Sequence, residues 1–435
     1  MTDARLGWAA ATLADVATLL SGSTPKGLSS VSGGRIPFYK VADMNRADGN
    51  VMAEAGIYLD SEGVSRYRLR LAPAGTVIMP KVGGAIATNK KRLLKRPATF
   101  DTNTLGVVPA AGIFPEFVFY RLQALDLRDL AYGSPVPQIN RQKLLQLEIG
   151  LPSLAEQKRI VAAIEEQFSR LDAADIALKR VRQRLGRLRA SLSERVFRAD
   201  WKWATTGDVA EVQGGIQKQP KRRPAKNRAP FLRVANVPRS GLDLTEVHEV
   251  ELFEGELERY RLRPGDLLVV EGNGSIEQIG RSTLWHGEIP DCVHQNHLIR
   301  VRPGPTVLPA FLSAYWNSPA TRKRLAELAS STSGLYTLST AKVRAVPVPI
   351  VSRDEQQHLV DQLQRDHSIA DALEARTQEA QRRATVLRRS ILAHAFGGEL
   401  VPQDLDDEPA SLLLERIAEE RTARTKPSRR GRIPG

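Results

Sequence analysis

The sequence is short of cysteine: Cys292 is the only one in 435 residues. No intramolecular disulfide and no thiolate zinc cluster can therefore form, and such usage suits a reducing cytoplasm. Long hydrophobic runs are missing too. The mildly apolar stretch from Ala9 to Leu20 is broken by Asp15 and has no basic leader, so we expect neither a signal peptide nor a membrane span. The phosphate-cradling G-x-x-x-x-G-K-[ST] loop, the H-E-x-x-H helix and the Asn/Asp-Pro-Pro-aromatic tetrapeptide are all absent. Nucleotide hydrolysis, zinc hydrolysis and adenine methylation thus have no recognisable apparatus, and the expectation is a chain that is not itself an enzyme. His294 and His297 flank Gln295 and Asn296, but two histidines without a third ligand fit a structural or groove-facing role better than a metal site. Gly272-Asn-Gly274 is too short to mark a nucleotide site.

What is present is a soluble, folded composition, 42% hydrophobic and 26% charged, in a chain long enough for two or three domains. Lys and Arg number 63 against 49 Asp and Glu, a net charge of +14. That excess favours a polyanionic partner such as nucleic acid.

Aligned with itself, the chain matches at about half its length. Residues 156–197 align without a gap on residues 355–396, an offset of 199 positions. Glu156 and Gln157 recur as Glu355 and Gln356, Ser169 as Ser368, Asp172 as Asp371, Arg189 as Arg388 and Phe197 as Phe396. The preceding segments correspond with small insertions. Trp8 is set against Trp203, Ile36-Pro-Phe-Tyr-Lys-Val-Ala against Ala229-Pro-Phe-Leu-Arg-Val-Ala, and Asn103 against Asn296. The order is a globular region over residues 1–150, a long helix over 151–200, a second globular region over 201–350 and a second long helix over 351–398. A terminal segment, 399–435, follows, and its basic tail from Arg421 onward is expected to be disordered.

In the first helix Ile164, Leu171, Leu178, Leu185 and Leu192 fall every seven residues, the spacing of a coiled-coil seam. Leu363, Ala370, Leu387 and Ile391 supply a smaller-residue stripe in the second, together with Leu373, Ala380 and Ala384. Copies related by a twofold pack antiparallel, and a helix of this length is a rod of roughly 60 Å, which would hold the globular regions apart. The expected fold is α+β: two similar globular domains separated by a pair of long antiparallel coiled-coil helices, with a pseudo-twofold internal repeat.

Short apolar runs punctuated by Gly and Pro mark strands in the globular regions, as at Ile36 to Val41 and Leu267 to Val270, with helices such as Glu116 to Leu125. The loops between them carry the side chains a DNA reader needs. In the first region these are Lys26, Lys40, Asn45, Lys81, the pair Gly83 and Gly84, and the run Thr88, Asn89, Lys90, Lys91 and Arg92. In the second they are Gln217, Lys218, Lys221, Arg222, Arg223, Arg233, Asn236, Glu271, Asn273, Ser275 and Gln295. Glycines admit a close backbone approach, Arg and Lys bridge guanine O6 and N7, Asn and Gln bridge adenine N6 and N7, and Glu accepts from cytosine N4.

Leu151-Pro-Ser-Leu-Ala-Glu-Gln-Lys-Arg-Ile-Val resembles the opening of the helical region in type I restriction specificity subunits, and Asp354-Glu-Gln-Gln-His-Leu-Val is a looser version. The ending from Leu387-Arg-Arg-Ser-Ile-Leu-Ala-His-Ala-Phe-Gly-Gly to Asp407-Glu-Pro-Ala-Ser-Leu-Leu-Leu-Glu-Arg-Ile is similar to the ending of that family and is the most specific signal. The resemblance implies two target-recognition domains, each reading half of a split site on double-stranded DNA, with the helices fixing the spacer. It also implies two modification (methyltransferase) subunits gripping the helices, and restriction subunits that translocate and cut DNA. No cofactor would belong to this chain; AdoMet, ATP and Mg would belong to those partners, in a bacterial or archaeal cytoplasm. Two departures stand out. Ser352-Arg-Asp-Glu-Gln lacks the Pro-Leu start of the first copy, and Asp101-Thr-Asn stands where the second half has His294-Gln-Asn, so the halves are expected to read unlike sequences. The competing reading is a stand-alone nucleic-acid-binding protein that uses its coiled coil only to dimerise.

Overall fold

The computed structural model describes residues 7–30, 33–197, 201–239, 241–332, 335–404 and 406–425. Two compact units emerge, Met1–Ile176 with Gln381–Gly435, and Ala177–Ala380. Each therefore holds one globular region and a portion of both long helices.

In the first unit a four-stranded antiparallel sheet runs Ala17–Ser21, Thr104–Pro109, Val77–Pro80, Arg92–Leu93. A second sheet sets Ile36–Tyr39 between antiparallel Ile57–Leu59 and parallel Thr99–Phe100. The second unit repeats both, with Ala210–Gly214, Leu298–Pro303, Leu267–Val270 and Ser282–Leu284 in one sheet and His248–Glu251, Arg228–Leu232 and Val293–His294 in the other. The continuous apolar runs arise because Val77–Pro80 and Leu267–Val270 are buried on both faces. Side chains alternate across a strand. Leu267 and Val269 thus enter one core with Phe311 and Trp316, while Leu268 and Val270 enter another with Trp285 and Cys292. Gly22 and Gly215 occupy one equivalent crossing, where a Cβ would lie 2.2 Å from the carbonyl oxygens of Asp101 and His294 respectively. No side chain fits there.

Strand pairing corrects two correspondences drawn from sequence. Ala9 pairs with Leu151 and Lys202 with Ile350, so Trp8 corresponds to Trp201, which packs on the second unit's core, and not to Trp203, which is 50% exposed. Tyr39 pairs with Phe100 and Leu232 with His294. Phe100 is therefore the counterpart of His294, and Asn103 that of His297, since their carbonyls accept from the backbone N–H groups of Lys81 (2.7 Å) and Glu271 (2.9 Å) respectively. A register slip of one exchanges the faces of a strand, and identity of isolated residues does not reveal it.

The long helices span Leu154–Val196 and Arg353–Gly397. Ser153 Oγ accepts from Glu156 N (3.0 Å) and Ser352 Oγ from Glu355 N (3.2 Å), so both begin with a serine cap whether or not Pro-Leu flanks it. Next in each comes a buried glutamine. Gln157 accepts from Phe114 N at 2.9 Å and donates to Pro152 O, and Gln356 accepts from Leu308 N at 2.7 Å and donates to Val351 O. Phe114 and Leu308 are the caps of the helices Pro115–Gln123 and Pro309–Trp316, so each globular region is pinned to its long helix.

Within each unit the two long helices run antiparallel. In the first, Arg388 bonds Asp172 (2.8 Å) and Asp175 (2.9 Å), and Ile164 shares a core with Ile391 and Ala395. In the second, Arg189 bonds Asp371 and Glu374, both at 2.5 Å, and Val196 packs with Val360 and Leu363. Corresponding positions take part in each unit, with donor and acceptor helices exchanged. On the first helix Ile164 and Leu185 are buried and Leu171, Leu178 and Leu192 half-buried. The second buries Leu363, Ala370, Thr377, Ala384 and Ile391, again in steps of seven. Leu387, expected in this stripe, is instead 49% exposed. The narrow contact admits one small position per heptad, and Thr377 fits because its hydroxyl donates to the backbone carbonyls of Leu373 and Glu374.

The start of the tail, Arg421–Thr425, departs from the expected disorder. It closes a helix, Ala410–Thr425, with Ala410, Leu413 and Ile417 in the first unit's core and Arg421 donating to the carbonyls of Ala14 and Ala17. Residues 426–435 of that tail lie outside the described residues.

His294 is fully buried, and among the described residues neither ring nitrogen has a partner at ordinary hydrogen-bond geometry. Burial and the nearby Arg300 guanidinium push its pKa down to about 3. The unfolded chain binds this proton near pH 6.5 while the folded one refuses it, so the residue is neutral to stability above pH 6.5 and destabilises the fold progressively as pH falls toward 3. His294→Phe, the residue found at the equivalent Phe100, should remove that dependence. Chemical denaturation between pH 7 and 4 should show wild type weakening relative to the variant by up to about 1.4 kcal/mol per pH unit. A constant difference would remove His294 from this role.

Candidate nucleic-acid interface

The candidate residues divide into those that hold loops and those that face solvent. In the first unit the turn after Tyr39 meets the loop before Arg92. Lys90 Nζ donates to Asn45 Oδ1, and Arg92 reaches Met44 O at 3.3 Å. Asn45, Lys90 and Arg92 thereby form one polar patch. Lys26 and Lys40 are exposed on separate loops, and Gly84 and Thr88 are exposed on the turn Gly83–Thr88. Gly83 has φ +75°, a conformation natural to glycine, and donates to Pro137 O at 2.8 Å. Half-buried Lys81 serves the fold through its backbone, bonded to Asn103 and Ile139.

Lys91 and Asn89 are corrections. Lys91 is fully buried, its ammonium donating to Asn89 Oδ1 (2.7 Å) and Leu125 O (2.6 Å), and burial lowers its pKa to about 8. Asn89, in the left-handed region at φ +52°, also accepts from Leu127 N (2.8 Å). This pair ties the basic loop to the segment after the helix Pro115–Gln123. Neither side chain is free to read a groove.

In the second unit Lys218 and Arg223 are exposed and line, with His248 and Phe231, a cleft of about 790 Å³. Arg222 shares that lining but is committed to Glu256 by two 2.8 Å bonds and stacks 4.5 Å from the Phe253 ring centroid, with Lys221 at 5.7 Å. Gln217 is exposed. Asn236 is a further correction: it is buried, accepting from Arg233 N (2.8 Å) and donating to Asp243 O and Glu246 O, so it builds the turn. Arg233 lies 3.4 Å from Glu246. Glu271 faces His297 at 3.2 Å, and Gln295 is half-buried with its backbone bonded to Leu232 O. The backbone of Asn273 pairs with Tyr336, next to Ser275 at the start of a 3₁₀ turn; the Asn273 side chain lies outside the described residues.

Composition and punctuation locate these loops, but a lysine in sequence gives no sign of whether its ammonium is turned inward. Three arginines that the loop pattern does not single out also matter, Arg239, Arg281 and Arg322. Arg281 donates to Val237 O as Arg92 does to Met44 O, the equivalent position of the other unit, yet the two arginines stand on different strand positions and no alignment of sequence pairs them. Among the described residues no group of three or more His, Cys, Asp or Glu is placed to hold a metal ion, and no helix is long and apolar enough to cross a membrane.

Duplicated mixed-sheet readers, each clamped to antiparallel helices and carrying exposed basic loops, match a known architecture. Residues 6–182 fit the family described as "Type I restriction modification DNA specificity domain". The EcoKI specificity subunit of Escherichia coli strain K12 is 25% identical, with 96% of each chain covered. Over nearly its whole length the chain is similar to type I restriction specificity subunits. The StySPI specificity subunit of Salmonella potsdam is 24% identical, over 95% of this chain and 96% of its own. Among solved structures, the fold is shared with the HsdS subunit of Thermoanaerobacter tengcongensis, at TM-score 0.51 and 18% identity over 92% of this chain and 100% of that one. It is shared more closely, at TM-score 0.68 and 19% identity, with a chain from a type I restriction-modification system solved in a study of complex assembly and conformational transition, covering 91% of this chain and 99% of that one.

The contrast between Lys90 and the buried Lys91 gives a test. Lys90→Ala should reduce the slope of log affinity against log salt for duplex binding by about one counterion without changing the melting temperature. Lys91→Ala should instead destabilise the fold by about 1–3 kcal/mol, because Asn89 Oδ1 and Leu125 O each lose a charged donor and a fully buried side chain is removed. Salt titrations and calorimetry of both variants check this; an unchanged slope for Lys90→Ala removes it from the interface.

Proposed function

We propose that this chain is the DNA sequence-specificity subunit of a type I restriction-modification complex, each unit's globular region reading one half of a bipartite duplex site. The observation that carries this reading is the repetition of a whole unit, reader, glutamine clamp and arginine fork, with the loops changed in chemistry. Lys90 and Asn45 stand on one reader and Lys218 and Arg223 on the other, so the half-sites differ. The paired helices set the unspecified spacer.

The complex supplies the chemistry in this reading. Ile176, Val181 and Leu188 on the first helix and Ile369, Leu373, Val386 and Leu387 on the second leave apolar area exposed, which suits docking by two modification subunits, with restriction subunits joining them. AdoMet, ATP and Mg belong to those partners, this chain is non-catalytic, and the assembly works in the cytoplasm.

Two outcomes test the reading, both scored by mapping methylated adenines in DNA from cells carrying the assembled complex. Exchanging residues 1–150 for the corresponding region of another such subunit should alter one half of the methylated site; alteration of both halves would refute independent readers. Adding one heptad to each long helix lengthens it by about 10 Å, so the spacer should grow by about three base pairs. An unaltered spacer would defeat the ruler.

A further inference from the structure

A cleft of about 740 Å³ opens in the second unit between the reader and both long helices. Arg239, Arg281 and Arg322 line it. Arg281 is anchored by neutral groups, the carbonyls of Val237 (2.5 Å), Val234 (3.2 Å) and Gln278 (3.4 Å), and Arg239 reaches Glu277 O. Among the described residues no carboxylate pairs with any of the three. The pKa values of Arg281 and Arg322 are lowered, first by burial and then by the charge of Arg239, so like charges are held together uncompensated. The one carboxylate in the lining, Asp371, is bonded to Arg189. His367 adds a buried Nε2 that has no hydrogen-bond partner among the described residues.

The first unit has the equivalent cleft, of about 560 Å³, and serves as an internal contrast. Arg92 takes the place of Arg281 there, Asp172 that of Asp371 and Phe168 that of His367. Two carboxylates, Glu165 and Asp172, share that lining with its arginines, and Arg388 is held by Asp172 and Asp175. Three arginines face two carboxylates in the first cleft and three face one in the second, so the cationic excess is larger in the second.

We propose that the second unit's cleft is an oxyanion site that binds a phosphoryl group through Arg239, Arg281 and Arg322. Guanidinium forks match phosphoryl oxygens in geometry and charge, and an anion relieves the mutual repulsion of the three. One phosphoryl group fills little of the volume, so it arrives on a larger molecule. A free polyphosphate and the phosphodiester backbone of a duplex share this chemistry. The site does not depend on the reading loops, so its failure would leave the proposed function standing.

Calorimetric titration of the full chain with pyrophosphate, at constant ionic strength in sodium chloride, tests the site. Wild type should bind one equivalent, and the double variant R239Q/R322Q, which spares the anchored Arg281 and alters two exposed residues, should bind at least about tenfold more weakly with an unchanged melting temperature in chloride. A duplex lacking any target sequence then identifies the source: displacement of pyrophosphate assigns the site to DNA backbone, and persistence of binding assigns it to a free polyphosphate. Equal affinity in wild type and variant, or no heat beyond the chloride control, would overturn the proposal.

Discussion

A buried glutamine side chain at the head of each long helix is the constraint on which the rest depends. The first N–H groups of a helix have no partner inside it, and the caps Phe114 and Leu308 add backbone donors that face protein rather than water. Gln157 and Gln356, 0% and 1% exposed, accept from those donors and return their own amide protons to carbonyls just before the long helices. An unsatisfied buried amide costs about 1–3 kcal/mol, so rotation of a reader on its helix is opposed at its pivot. Phe117 against Phe396 at 5.4 Å and Phe311 against Phe197 at 5.9 Å lock the same joint by edge-to-face packing.

With the joint fixed, helix pairing can rest on modest forces. The arginine forks include exposed carboxylates, Asp371 in one and Asp172 in the other, and such pairs contribute little to stability, about 1 kcal/mol or less each. Their value is directional: slippage by one helical turn would separate Arg189 from both Asp371 and Glu374. The buried stripe of Ala370, Thr377 and Ala384 keeps the contact thin and leaves larger apolar residues to either side. A helix pair that buried all of them would be more stable alone and would have nothing to offer a partner.

The readers divide their charge between support and contact. Lys91 and Arg222 hold theirs inside the fold, positioning the loops that carry Lys90 and Arg223. Basic residues thus serve as struts as well as contacts, and the excess of +14 overstates the charge available to DNA.

The sequence by itself determined the duplication, the two long helices, their seven-residue periodicity and most strands, because these depend on local spacing and on copies of one pattern. Even the clamp was visible as the recurring Glu-Gln, though not its purpose. Tertiary structure alone decided the strand register that makes Phe100 the counterpart of His294, the inward turn of Lys91 and Asn236, the exposure of Leu387 and the docking of the C-terminal helix. Each of these turns on which distant backbone group reaches a side chain first. Residues such as Asp172 and Arg388 are 216 positions apart, and no local pattern reports a contact that only folding creates.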